Sequence, residues 1–189
     1  MRHLRLVSSR RSEPQLGFSC KPPTHPCLEA YELEFDYLIR SLRRLGISQQ
    51  DVEDLAHEVF LILYQTWDKY DPTRPLRAYL FGIAFRVAAT HLRKRRRESP
   101  YAVPDVCDLG PRPDQALESK QVRALVLSAL ERVPLQRRAV LIMHDIDKLP
   151  MREIASALSI YRFTGYSRLR KAREEFAAAV VSLRGGREP

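Results

Sequence analysis

Two blocks of helical period, separated by a proline-rich segment that holds no period, set the limits on what this chain can fold into. From Leu28 the apolar residues Leu28, Tyr31, Phe35, Leu38, Ile39 and Leu42 recur at three- and four-residue steps until Gly46 stops the run. The stretch SQQDVEDLAHEVFLILYQTWDKY predicts a second helix: Ser48 can cap it, Asp51 follows three residues on as in a capping box, and Val52, Leu55, Ala56, Val59, Ile62, Leu63 and Thr66 share one face. KYDPTRP cannot continue a helix, since its prolines remove donors and clash with the preceding turn. A third helix, Leu76 to about Arg97, places Leu76, Tyr79, Leu80, Ile83, Ala84, Val87, Ala88 and Leu92 inside and ends in five consecutive cations, Arg93 to Arg97.

ESPYAVPDVCDLGPRP, with four prolines and a glycine, reads as a linker. Beyond it, Gln115 to Arg132 and Leu135 to Asp147 predict two helices, the second burying Ala139, Val140, Ile142 and Met143. A short helix (Met151 to Leu158), a tight turn (Ser159 to Tyr161) and a long basic helix follow, which is the layout of a helix-turn-helix. The expected fold is all-α. It comprises a three-to-four-helix bundle over residues 28–97 and a helix-turn-helix domain over 114–183, joined by a flexible linker over 98–113. A Pro-rich arm (1–27) and a short tail (184–189) complete the chain.

Charge is distributed in blocks. Residues 28–72 carry four basic and ten acidic side chains, whereas 73–97 carry eight basic and no acidic ones. That polarity suits one face meeting nucleic acid and another meeting a basic protein, although chance clustering on a soluble surface would look the same. No apolar run is long enough to span a membrane, and the N-terminus lacks the apolar middle of a secretory signal, so a cytoplasmic protein is expected. Three cysteines make no disulfide framework. Cys20, His25 and Cys27 offer three soft ligands where a closed zinc site wants four at tighter spacing, so neither metal nor cofactor is expected.

In the last helix Gly165, Leu169, Ala172, Phe176, Ala179 and Leu183 fall on one side, and Thr164, Ser167, Arg168, Lys171 and Glu175 on the other. A major groove needs such a mixture of hydrogen-bonding and cationic side chains, though a helical hairpin that never meets DNA could carry it too. In the third helix Tyr79, Phe81 and Phe85, with Trp67 and Tyr70 upstream, stand beside cations. That combination suits unpaired bases, with core packing as the competing role for Tyr79.

DVEDLAHEVFLILYQTWDKYDPTRPLRAYLFGIAFRVAATHLRKRRRE resembles region 2 of bacterial RNA polymerase sigma factors of the extracytoplasmic-function (ECF) group, and LERVPLQRRAVLIMHDIDKLPMREIASALSIYRFTGYSRLRKAREEF resembles region 4. The resemblance implies that Asp51, Glu53, Asp54 and Glu58 dock on the β′ clamp coiled coil, with the β flap as a second polymerase contact. It implies that Trp67, Tyr70, Arg74, Tyr79, Phe81, Arg86, His91, Arg93, Lys94, Arg96 and Arg97 recognise and melt the minus-ten promoter element. Arg162, Thr164, Tyr166, Ser167, Arg168, Lys171 and Arg173 would read the minus-thirty-five element. Promoter DNA, core polymerase and an anti-sigma factor are the partners it implies, on the nucleoid, with no membrane insertion and no enzyme activity.

Departures from the family pattern bear on promoter preference: His57 stands where Gln is common, Phe85-Arg86 where Arg-Asn is, Thr90 where Asp is, and Tyr161 where Pro is. Gly165 replaces a β-branched residue and costs about 1 kcal/mol in helix propensity relative to Ala, so close packing against the preceding helix is expected there. Two other function classes compete. A stand-alone helix-turn-helix regulator would leave the acidic helix and LFGIAFR without a role, and a thiol hydrolase using Cys107 has no activating base nearby in sequence.

Overall fold

The computed structural model describes residues 25–98 and 115–185. Cys20, Cys107, most of the expected linker, the arm before His25 and the last residues of the tail lie outside the described residues. Every described element is helical.

Helix α1 (Pro26–Arg44) begins before Leu28, where the arm was expected to end. Pro26 sits in the first turn, where its missing N–H has no helical partner to lose, and His25 Nδ1 accepts the Cys27 N–H at 3.2 Å. Cys27 is fully buried and its thiol pKa is pushed up by burial, so it belongs to the core and not to the arm. Gly46 ends the segment with φ +95°, a left-handed conformation that side chains disfavour. Ser48 Oγ accepts the Asp51 N–H at 3.2 Å and donates to the Asp51 carboxylate, a reciprocal cap one turn ahead of α2 (Val52–Gln65). The second helix ends at Gln65, just before Thr66, the last residue expected on its apolar face. Thr66 turns its hydroxyl back to the Ile62 carbonyl (2.7 Å), and a single 3-10 turn, Trp67–Lys69, follows.

α3 (Leu76–Glu98) is the central helix, with α1, α2 and α6 all packed on it. Its middle is therefore buried nearly all round: Ala78, Leu80, Phe81, Gly82, Ile83, Ala84, Val87 and Ala88 are inside. The second half consists of α4 (Gln115–Arg132), α5 (Leu135–Leu141) continued by a π-type turn at Ile142–Ile146, α6 (Met151–Ala157) and α7 (Arg162–Gly185). Ser159 makes the tight α6–α7 turn in a left-handed conformation (φ +54°), and Ile160 N–H closes α6 onto the Ala155 carbonyl at 2.9 Å. A Cβ on Gly165 would run into the Met151 sulfur, so the missing side chain is what lets α7 close on α6. This is the close packing the glycine led us to expect.

The two halves share one apolar core, which runs from Leu38 and Phe81 to Leu130, Ile142 and Ile154 without a break. Polar contacts reinforce it. Tyr37 donates its hydroxyl to Asp147 (2.7 Å), and Arg44 lies 3.5 Å from the same carboxylate. The buried Arg138 guanidinium donates to the carbonyls of Leu45 (2.7 Å), Glu131 (2.6 Å) and Val133 (3.1 Å). Burial lowers the Arg138 pKa to about 10.

Candidate functional site

The α2 surface divides cleanly. Val52, Leu55, Ala56, Val59 and Leu63 face the core, while Glu53, Asp54, His57 and Glu58 are exposed. Leu61 and Tyr64 lie on that same outward face, each more than half exposed, and sequence reasoning passed over both. Asp51 stands apart from its acidic neighbours. Its carboxylate turns back to α3, 3.3 Å from His91 Nε2 and 3.9 Å from Arg95, and the Ser48 hydroxyl holds its pKa below the ordinary range. His91, expected to serve DNA, thus faces the start of α2, where its buried Nε2 makes no hydrogen bond.

The residues expected to handle unpaired DNA separate into two groups. Trp67, Tyr70 and Tyr79 form a chain of half-buried rings with centroids 5.4 and 5.3 Å apart, inside the 4.5–7 Å range of favourable aromatic pairs. The Tyr79 hydroxyl donates to Thr66 Oγ1 at 2.9 Å. Phe81 is a correction: it is fully buried under α3's neighbours and offers no face to a base. Arg86, Arg93, Lys94, Arg96 and Arg97 are exposed, with Lys94 paired to Glu98 at 3.8 Å.

On α7 the buried residues Gly165, Leu169, Ala172 and Ala179 fix which way the helix turns. At 100° per residue the opposite face is centred on Phe163, Ser167, Arg170 and Glu174, with Tyr166 and Lys171 beside it. The exposures agree with that geometry: all six are exposed, whereas Thr164 and Arg168 are half-buried on the flank nearer the core. Arg173 is held by two hydrogen bonds to Asp145 (2.6 and 2.8 Å), and Arg137 grips Glu175 in the same way (2.6 and 2.8 Å). Arg173 first, with His144 adding to it, lowers the Asp145 pKa to about 2. Arg173 is paired with Asp145 yet remains exposed, as are Arg162, Tyr166, Ser167 and Lys171.

Two family patterns match this architecture in order: sigma-70 region 2 over residues 31–98 and sigma-70 region 4 over residues 123–176. The chain belongs to the sigma-70 family, in its ECF group. It is 28% identical over 144 residues to the ECF RNA polymerase sigma factor SigE of Mycolicibacterium smegmatis, a match covering 74% of this chain and 56% of that relative. It is 27% identical over 151 residues to the RNA polymerase sigma factor CnrH of Cupriavidus metallidurans, covering 75% and 79% of the two chains. Its fold is similar to that of the sigma factor RpoE of Bartonella quintana, solved with the anti-sigma factor NepR, at a TM-score of 0.67, 19% identity and coverage of 81% and 95%.

Region 2 and region 4 meet across a polar cleft of about 190 Å³ lined by Tyr70, Arg74, Tyr79, Arg86, Glu153 and Ser159 among others. Arg74 spans it, donating through Nε (2.9 Å) and Nη2 (2.7 Å) to Glu153 of α6. Arg74 holds the buried Glu153 carboxyl below its usual range. Beside this pair α3 and α6 approach so closely that a Cβ on Gly82 would lie 2.7 Å from the Ala157 carbonyl oxygen. Nothing in either regional motif announces these contacts, because the pair Arg74 and Glu153 is 79 residues apart.

Proposed function

We propose that this chain is a promoter-specificity subunit of RNA polymerase, a non-catalytic protein that lends the enzyme its DNA sequence preference. The observation that supports this best is the pairing of two region matches, in order, with two surfaces of opposite character. The outward α2 face carries Glu53, Asp54 and Glu58 around Leu61 and Tyr64, which suits a basic, partly apolar helical partner such as the polymerase clamp. The end of α3 and the outward face of α7 carry the cations a phosphate backbone attracts. In this reading Trp67, Tyr70, Tyr79 and Arg86 line the minus-ten site, and Arg93, Lys94, Arg96 and Arg97 hold its backbone. Arg162, Tyr166, Ser167 and Lys171 face the minus-thirty-five element, with Arg168 at the groove edge. Residues 28–97 then serve the minus-ten element and residues 114–183 the minus-thirty-five element.

The solved complex of the Bartonella quintana relative with NepR supports an anti-sigma partner for this chain as well. No described helix is long and apolar enough to cross a membrane, and work on the nucleoid in the cytoplasm fits the role. A stand-alone helix-turn-helix regulator is the weaker reading, since region 2 would have no task. Reconstitution with core polymerase tests it. The chain is expected to direct initiation from selected promoters only in the presence of core, and Asp54→Lys with Glu58→Lys should weaken core binding while circular dichroism stays native. Specific duplex recognition by the chain alone, undiminished by the double reversal, would overturn the proposal.

A further inference from the structure

The recognition helix presents apolar surface that its cations do not explain. Phe163 is 85% exposed, Tyr161 84% and Tyr166 58%, so three aromatic rings within six residues stand in solvent at one end of α7. Single exposed apolar residues need no explanation, whereas Phe163 and Tyr166 are three residues apart on one helix, neighbours on its surface, and an exposed pair of rings of this kind suits an interaction surface. The backbone that carries the rings is held in place. Gly165 seats the first turn against Met151, Leu169 is buried one turn on, and the Gly165 N–H bonds the Tyr161 carbonyl at 3.0 Å. An aromatic side chain with only two rotatable bonds loses little entropy when such a seated surface is covered.

The surroundings indicate what covers it. Phe163 shares its face with Ser167 and with Arg170, whose guanidinium donates to Glu174 at 2.8 Å, and the exposed Arg162 and Lys171 stand at the edges, where cations attract a polyanion. A duplex offers aromatic rings only its groove edges, because its bases are stacked and paired. Within the major groove, the C5-methyl of thymine is the apolar group those edges present. We propose that Phe163, with Tyr166 beside it, selects thymine in the upstream promoter element by packing on its 5-methyl group. This rests on the reading of α7 as a major-groove helix and adds to it a base class and a contact made without hydrogen bonds. Arg168, on the half-buried flank, then serves the backbone more than the base edges.

The test uses holoenzyme assembled from the full chain and core polymerase. A library randomised in the upstream element yields the preferred duplex. Each thymidine in it is then replaced in turn by deoxyuridine, which keeps pairing and removes only the methyl group. At fixed salt, wild-type holoenzyme is expected to lose affinity about three- to fivefold at one or two of these positions, the worth of one buried methyl. Phe163→Ala should bind the thymidine and deoxyuridine duplexes equally at those positions. If every replacement is tolerated by the wild type while the upstream element is still selected and footprinted, methyl reading is wrong and α7 remains a DNA reader. If no upstream sequence is selected or protected at all, the reading of α7 itself fails, and the aromatic group belongs to a protein interface.

Discussion

Gly82 is the point at which the closed arrangement of the two halves can be loosened by a single methyl group. In Gly82→Ala the new Cβ would lie 2.7 Å from the Ala157 carbonyl oxygen, and 3.3 Å from its carbon, against an ordinary contact distance of 3.4 Å or more. The obstacle is backbone, so no side chain can swing away, and α6 must retreat by about 0.7 Å (3.4 less 2.7). Overpacking of this kind costs about 1–3 kcal/mol. The substitution also adds about 1 kcal/mol of helix propensity to α3. That gain is present whether the halves are together or apart, so it cancels from the opening equilibrium and leaves the clash, which shifts the equilibrium roughly 5- to 150-fold toward separation. Small-angle scattering should show a larger radius of gyration, and amide exchange should accelerate in α6 while α3 stays protected. An unchanged radius and unchanged α6 protection, with a raised melting temperature, would refute the reasoning, because Gly82 would then be only a weak spot in a helix.

Three further outcomes are expected. Arg138→Ala leaves the Leu45, Glu131 and Val133 carbonyls without their buried donor, and at about 1–3 kcal/mol for each unsatisfied group denaturant unfolding should show a loss of about 3 kcal/mol or more. Asp145 has a lowered pKa, so its pairing with Arg173 adds stability above the ordinary carboxylate range that is lost as pH falls toward about 2. Melting curves of the wild type and Asp145→Asn should therefore differ at neutral pH and converge near pH 2, and a constant gap would count against the clamp. Replacing Arg93, Lys94, Arg96 and Arg97 by Gln should weaken open-complex formation and flatten its salt dependence, with partial recovery on a preformed bubble; an unchanged salt slope would make the run a solvated helix end.

Sequence periodicity served best where a helix has one buried side and failed where it has several. In α2 and α7 the stripes Val52 to Leu63 and Gly165 to Ala179 were legible because each helix lies on a core with its back to solvent. In α3 Phe81 stands off the Tyr79, Ile83 and Val87 line, so periodicity did not mark it as core, and its place among aromatics and cations, with the family resemblance, put it on the DNA side. Three helices pack on α3, and the position is as deeply buried as any on the stripe. On α7 the buried stripe was placed correctly but its opposite was taken one step round, toward Arg168 instead of Phe163 and Arg170. Measuring the outward direction from the centre of Gly165, Leu169 and Ala172 would have found it. The cleft contacts had no local signal, because an Arg and a Glu 79 residues apart in sequence are ordinary surface residues until the fold brings them together.

The three-carbonyl seat of Arg138 limits how far the two regions can be treated as interchangeable parts. Two of its acceptors, Glu131 and Val133, come from region 4, but the third is Leu45 of region 2, beside a glycine whose absent side chain leaves room for the guanidinium. A chimera that joins this region 4 to the region 2 of a relative keeps the charged group. It keeps the cavity only if the partner also ends its first helix on a glycine with a free carbonyl one residue earlier. Grafted elsewhere, the arginine meets a Cβ or loses an acceptor. Recombination between members of the group should therefore succeed by pairs of matched junctions, with residues 45, 46 and 138 inherited together.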